Sequence, residues 1–313
     1  MKSLDTNCPI CSSSSSLWRE KSGYTVLRCN SKICGHGFVH PVPSEAELRD
    51  FYAKSEDTLE NSGSWTMAKD YGHDPKLVHK FYDRARIKHL QRIGLLGKPD
   101  SVVLDVGCST GMFLRVLRDR GYQELVGQEF SDEQADFCRQ EHKFRVVTSI
   151  SELTELHFDL VTMYAVLEHV RDVSDLITSV CSVVKDGGHI IIDVPNASGW
   201  YQVFSKESWL WLIPPAHLHY FTPQSLERLL EANGFVVVEK RSVSTSTWVF
   251  ILAHHVYSLF GRQLPGTSLS SSWFRRKIIW LIEGGIRLVL APISWAAQKR
   301  MRHNQLIYVA AKL

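Results

Sequence analysis

The chain has 313 residues, 44% of them apolar and 22% charged, enough for one sizeable core plus an accessory unit. A formal net charge of +3 does not demand a polyanionic partner, so no nucleic-acid binding is expected. Seven cysteines, four of them near a polar start with no secretory leader, argue against a disulfide framework and for a cytoplasmic protein with metal-type thiol use.

Cys8-Pro-Ile-Cys11 and Cys29-Asn-Ser-Lys-Ile-Cys34 form two pairs separated by seventeen residues. Tetrahedral Zn²⁺ takes four thiolates, and two short knuckles supply them from the right directions. Trp18 and the alternating stretch Tyr24 to Arg28 read as ribbon strands between the knuckles. Residues 1–42 are therefore expected to be a zinc ribbon whose metal is structural, held by Cys8, Cys11, Cys29 and Cys34, with His36 as a substitute ligand for Cys34. Pro41 and Pro43 break the chain, and Ser44 to Glu47 is a capping box for a short helix through Tyr52. Residues 54–74 are polar and read as a loop or lid, with Tyr71 and His73 either lining the site or, the preferred reading, surface residues of that loop. Lys76 to Leu96 has helical spacing and closes a leader segment at 43–100.

Ser101 to Val106 is a short apolar run of buried-strand type that ends on an acid, Asp105, then Gly107 and Gly111, with a helical pattern directly after. A strand, a glycine turn and a helix N-terminus bring backbone N–H groups close to a bound ligand. Glu124 to Phe130 is a second strand carrying Glu129 at its tip, where a carboxylate can accept from both hydroxyls of a ribose. That acid alone does not separate a nicotinamide cofactor from other nucleosides. Two further segments follow: Phe158 to Val170, and Asp186-Gly187-Gly188 with His189 to Pro195 after it.

Together these segments resemble the class I S-adenosylmethionine (SAM)-dependent methyltransferases. Asp105 to Gly111 is similar to the motif Asp-x-Gly-x-Gly-x-Gly with Ser109 at the middle glycine, and Phe158 to Val170 to Phe-Asp-x-Val-x-x-x-x-Val-Leu-Glu-His-Val. The leader from Pro41 to Tyr52 resembles that of a small-molecule branch with an N-terminal zinc ribbon. The resemblance covers about residues 101–241 plus the leader. It implies an α/β, Rossmann-like sheet of seven strands, mostly parallel with the last antiparallel, over residues 101–313. It also implies that Asp105, Gly107, Cys108 and Gly111 cradle the amino-acid end of SAM, that Glu129 holds the ribose and Phe130 packs on the adenine, and that Tyr164 lies near the methyl-bearing sulfur. Thr148 to Leu153 would supply adenine contacts. Some members that methylate quinol precursors carry a divalent cation on Glu-x-x-Glu-Glu/His at the fourth strand; Ala165 stands at the first acid here. Glu168 and His169 are accordingly expected to be hydrogen-bonding supports.

Beyond Pro195, the aromatics Trp200, Tyr201, Phe204, Trp209 and Trp211 are open to two readings, plain packing or the wall of an acceptor pocket. Pro214 to Leu226 resembles the branch's His-Leu-x-x-Phe-Ser/Thr-Pro element, although related sugar C-methyltransferases have Glu-His where this chain has Ala216-His217. An oxygen acceptor must lose a proton, which suits an imidazole titrating near neutrality, so His217 is the first candidate for general base and His219 the second. Phe235 to Glu239 and Asn304 to Lys312 read as the closing strands. Between them lies a basic, apolar helical insertion at about 244–303, with eight Lys/Arg against the single acid Glu283 from Gly261 to His303. Too short or too charged to span a bilayer, it reads either as peripheral contact with the inner membrane face through 273–302, or as a helical hairpin that caps the site or forms a dimer seam. The expected function is SAM-dependent methylation of a small-molecule or lipid-linked acceptor, at oxygen. The rivals are a non-catalytic SAM-binding scaffold recruited to the membrane and an NAD-dependent oxidoreductase.

Overall fold

The protein is described by a computed structural model over residues 6–59, 75–96, 99–243 and 291–313. Tyr71, His73 and the insertion up to residue 290 lie outside these described residues. Strands β1 (Ser15–Lys21) and β2 (Tyr24–Cys29) form a hairpin, and β3 (Gly37–Val39) pairs back on β2. Ser22 and Gly23, both at positive φ, make the two-residue turn whose twist suits the hairpin. Helix α1 (Glu45–Leu59) starts at the expected box: Ser44 N–H donates to Glu47 Oε2 at 2.7 Å and Glu47 N–H to Ser44 Oγ at 3.2 Å. It runs past Tyr52, so 54–59 is helix rather than loop. Helix α2 (Pro75–Arg92) completes the leader.

The remaining elements alternate as the glycine-turn reading requires. They are β4 (Val103–Val106), α3 (Met112–Arg118), β5 (Leu125–Gln128), α4 (Asp132–His142), β6 (Arg145–Val147), β7 (Phe158–Tyr164), α5 (Val173–Val183) and β8 (Val184–Pro195). Then come α6 (Trp200–Ser205), β9 (His219–Tyr220), α7 (Pro223–Ala232), β10 (Phe235–Val243), α8 (Ala291–Lys299) and β11 (Gln305–Lys312). The main sheet has seven strands in the order β10-β11-β8-β7-β4-β5-β6, with β11 antiparallel to both neighbours. Strands β4 to β8 are parallel, and all four residues of β4 are buried, as a strand covered on both faces must be. The chain reverses its direction of travel at β4, which leaves a crevice beyond the carboxyl ends of β4, β5 and β7.

A second sheet, β1-β2-β3-β9, ties the N-terminal ribbon to the rest. Its fourth strand comes from the segment before α7 and pairs Gly37 with Tyr220 and Phe38 with His219. Three strands of this length cannot bury enough apolar area alone. They are completed by a shared core in which Val26, Val39 and Leu48 meet Tyr201, Trp209 and Tyr220. Packing therefore accounts for Tyr201 and Trp209, whereas Phe204 is 71% exposed.

Candidate functional site

Four segments converge on the crevice. At the end of β4 the carboxyl of Asp105 is buried and accepts a hydrogen bond from Thr162 Oγ1 of β7 at 2.5 Å. Desolvation raises its pKa to about 7, with the Thr162 bond opposing. The turn that follows is built for close approach. Gly107 has φ +67° and a Cβ there would stand 2.7 Å from Val166 Cγ2; Gly111 has φ +76° and a Cβ there would collide with Cys138 Sγ. Ser109 also adopts positive φ, 49°, so the middle position needs the conformation a glycine gives freely. The serine hydroxyl donates to Gln134 Oε1 at 2.7 Å, a bond that offsets part of the backbone cost.

Glu129 stands one residue beyond β5 and is held from both sides. Its Oε2 accepts from Ser109 N–H at 2.8 Å and its Oε1 from Ser131 N–H at 3.0 Å. Each oxygen keeps acceptor capacity, so the carboxylate is fixed in place and still able to take a diol. Phe130, 63% exposed, leaves its ring open beside it. Cys108 departs from expectation. Its Sγ packs into the sheet, against the position a Cβ on Gly127 would occupy, within the cluster of Leu114 and Leu117, so only its backbone can face a ligand. Ile150 to Leu153 forms a short 3₁₀ turn, boxed by Ser149 and Glu152, at the outer rim.

Tyr164 ends β7 beside Asp193 of β8, its register partner. The Tyr164 hydroxyl and Asp193 Oδ1 are both buried and without hydrogen-bond partners. Burial raises the Asp193 pKa to about 6 and pushes the Tyr164 hydroxyl up as well. From α2, the Arg86 guanidinium lies 4.1 Å over the Tyr164 ring while bonded to Asp83 Oδ1 at 3.2 Å. Arg86, Asp83, Thr162, Gln134 and Asp193 are missing from the sequence-based site. Asp193 had a signal, an acid ending an apolar strand; Arg86 had none beyond a helical period. The glycine cradle and the orphaned polar groups beside it fit a nucleoside carrying an amino-acid arm, with Asp105 and the turn at that arm and Glu129 at the sugar.

Just past Tyr164, Glu168 and His169 meet the loop that leads into β9. The Glu168 carbonyl accepts from Leu218 N–H at 2.6 Å and His219 N–H at 3.1 Å, and His169 Nδ1–H donates to Ala216 O at 2.6 Å. His169 is thus the hydrogen-bonding support expected of it. Glu168 is not, because its buried Oε2 has no partner and desolvation raises its pKa to about 8. His217 Nδ1–H donates to Trp211 O at 2.9 Å, and the two rings stack. Burial, and then His169 beside it, hold His217 well below the usual imidazole range. The free general base titrating near neutrality is therefore not what the fold provides at this position. His219 is turned the other way: its Nδ1 meets His36 Nε2 at 3.0 Å and its Nε2–H points to Arg171 O at 3.5 Å, with burial lowering its pKa to about 4. Both of its nitrogens are used inside the ribbon junction, which removes it as a base; His36 stands outside the four-thiol cluster, in which Cys34 takes the fourth place.

The ribbon cysteines come together as expected. Cys8 and Cys34 sulfurs are 3.8 Å apart, Cys11 and Cys29 3.4 Å, and all four lie within 4.8 Å of one another. Zn–S bonds of about 2.3 Å in a tetrahedron place sulfurs about 3.8 Å apart, so the set fits a closed Zn²⁺ site. Ile10 and Ser31 N–H groups lie 3.4 Å from the Cys8 and Cys29 sulfurs, the amide pattern of a metal knuckle.

Comparison with known proteins places these features. A family model described as a methyltransferase domain matches residues 78–240. The ubiquinone biosynthesis O-methyltransferase of Proteus mirabilis is 32% identical over 153 residues, 46% of this chain and 57% of that protein. That of Aliivibrio fischeri is 29% identical over 205 residues, 54% of this chain and 86% of that protein. Among solved structures, magnesium protoporphyrin IX methyltransferase from Synechocystis, with bound SAH, covers 86% of this chain and all of its own at 14% identity and a TM-score of 0.51, a likeness of fold.

Proposed function

We propose, from the premise that this chain belongs to the methyltransferase-domain family and is a SAM-dependent methyltransferase, that it methylates an oxygen of a small-molecule acceptor. The observation that carries the choice of oxygen is the cluster beyond Tyr164, where Glu168 Oε2 and the two imidazoles of His169 and His217 offer lone pairs. Both Nδ1–H groups are spent on backbone carbonyls, so the two imidazoles present hydrogen-bond acceptance at Nε2, the complement of a hydroxyl. Its relatives from Proteus and Aliivibrio carry O-methyltransferase in their names, which agrees.

SAM supplies an activated methyl on a sulfonium. The chain's own work is positioning, since in-line displacement gains most from holding the two reactants in near-attack geometry. Asp105 and the glycine turn anchor the amino-acid arm, Glu129 the sugar and Phe130 the base, while Tyr164 and Asp193 border the reacting end. The Cys₄ set holds a structural Zn²⁺ that folds the ribbon and, through β9, the acceptor loop. The lipid-linked version of the acceptor and the membrane contact rest on 273–302, mostly outside the described residues; among those described, no helix is long and apolar enough to cross a membrane.

The test is labelled methyl transfer from SAM to a panel of phenols, their methyl ethers and matched amines. Label appearing as an ether on the phenols alone supports the reading. Transfer to the amines instead, or cofactor binding without turnover on any acceptor, would overturn it, the latter in favour of a scaffold.

A further inference from the structure

We propose that Arg241, with Gln305 beside it, forms an anion subsite for the acceptor, so that the substrate is a hydroxy acid held by its carboxylate at one end and methylated at the other. This rests on the reading of oxygen methylation given above and names the substrate class that goes with it.

The subsite follows from strand register. Tyr164 of β7 is paired with Asp193 of β8, Asp193 with Ile307 of β11, and Ile307 with Arg241 of β10. Partners in register share a face, so the four side chains form one row on the face where Tyr164 and Ile307 pack with Ile87 and Leu90 of α2. Gln305, two residues before Ile307, stands on the same face, diagonal to Arg241 and one step nearer the carboxyl edge. With strands about 4.8 Å apart, the row carries the crevice about 14 Å beyond Tyr164, on the side away from β5 and Glu129. Its polar atoms are bare. The Tyr164 hydroxyl, Asp193 Oδ1, Arg241 Nε and Gln305 Oε1 are each buried and make no hydrogen bond. Packing leaves few such atoms, and four of them on one face, at the sheet edge where this architecture takes its ligands, mark a surface shaped for one.

Arg241 decides the charge of that ligand. Asp193 does not pair with it, because Ile307 stands between them and two strand spacings are about 10 Å. Glu239, two residues earlier on β10, is taken up by His89 Nε2 at 3.1 Å and Arg92 at 3.4 Å. The Arg86 guanidinium, which reaches the same face from α2, is already bonded to Asp83 Oδ1 at 3.2 Å. Among the described residues Arg241 makes no ion pair, and a half-buried guanidinium in that position calls for an anion. Its planar fork matches a carboxylate, and the Gln305 amide can turn its N–H groups to the same oxygens. The acid arm therefore lies at Arg241 and the hydroxyl at the Tyr164 end of the row, with the acceptor's ring or chain over Ile307.

Hydroxyphenylpropionate, its carboxamide and its methyl ester share one phenol and differ in charge at the far end, so they probe the subsite. Calorimetry on the full chain loaded with SAH reads their binding, and labelled transfer from SAM reads their turnover. The acid should be preferred to the amide by about tenfold or more in affinity and in kcat/KM, through KM and not kcat, the scale of one charge-assisted pair. Arg241→Gln should bring that ratio close to one, and Arg241→Lys, which keeps the charge without the fork, should restore part of it. A parent protein that binds acid, amide and ester alike overturns the subsite, and that comparison needs no variant to fold. Survival of the preference in Arg241→Gln overturns it too. Transfer to all three phenols without preference leaves oxygen methylation standing and removes the subsite; acid binding that depends on Arg241 but gives no ether does the reverse.

Discussion

His36 and His219 meet in the interior with 3.0 Å between Nε2 and Nδ1, joining the ribbon to the loop that carries His217. His219 Nε2–H faces the Arg171 carbonyl, so its Nδ1 accepts and His36 donates. Phe221, 4.9 Å from the His36 ring centre, closes the contact. Truncating His36 to alanine leaves a buried nitrogen without a partner beside a cavity, for a loss of about 2–4 kcal/mol in stability. Urea denaturation reads this as a lower midpoint, and an unchanged midpoint would show that the rings merely adjoin.

Loss of the Zn²⁺ proposed for the ribbon should be felt outside it. Thr222 Oγ1 donates to Cys34 O at 2.6 Å, and among the described residues β9 pairs in a sheet with β3 alone. Chelation should therefore raise amide exchange across residues 216–222 as well as 8–39, with β4, β5 and β7 unaffected. Exchange that rises in the ribbon alone would separate the two units.

Two glycines at nearly the same backbone angle isolate the demand for space in the cofactor turn. Gly94 has φ +78° with nothing near its missing Cβ, whereas Gly111 has φ +76° with Cys138 Sγ in the way. Gly94→Ala should cost about 1–2 kcal/mol, the left-handed strain alone. Gly111→Ala should cost measurably more and abolish SAM binding by calorimetry, because the turn must move. Equal costs would mean that the clash relaxes freely.

The raised pKa of Asp105 gives stability a sign. Its folded value of about 7 stands above the unfolded value of 3.8, so the native state holds the extra proton in between. Its contribution therefore weakens as pH rises from about 4 to about 7 and is level above that. Asp105→Asn should make this slope shallower, leaving the part that Glu168 and Asp193 contribute in the same direction. Binding of cationic SAM favours the ionised carboxylate, so affinity should fall as pH drops below about 7 in the parent and less so in the variant. Parallel slopes for the two proteins would remove Asp105 from both effects.

Much of the cofactor half is written locally. Asp105, Gly107, Gly111 and Glu129 fall where a strand, a turn and the next strand's tip put them, because strand period and the φ demand of glycine act over a few residues. Cys108 shows the limit of that spacing: it sits inside the motif, yet strand pleat sends its side chain into the core against Gly127 and Leu114. Arg86 marks another, since a helical period says nothing about which strand tip the helix will cross.

The amino-acid order alone determined the seven-strand sheet, its glycine turn and the four clustered thiols, each a matter of short-range periodicity and spacing. Only the tertiary structure decided that β9 would leave the main sheet to complete the ribbon, that His219 would face His36, and that His217 would come beside Glu168 and His169. Those pairings depend on which segments share buried space. Burial then sets tautomers and pKa values, because removing water makes the protonation state of a histidine a property of its neighbours.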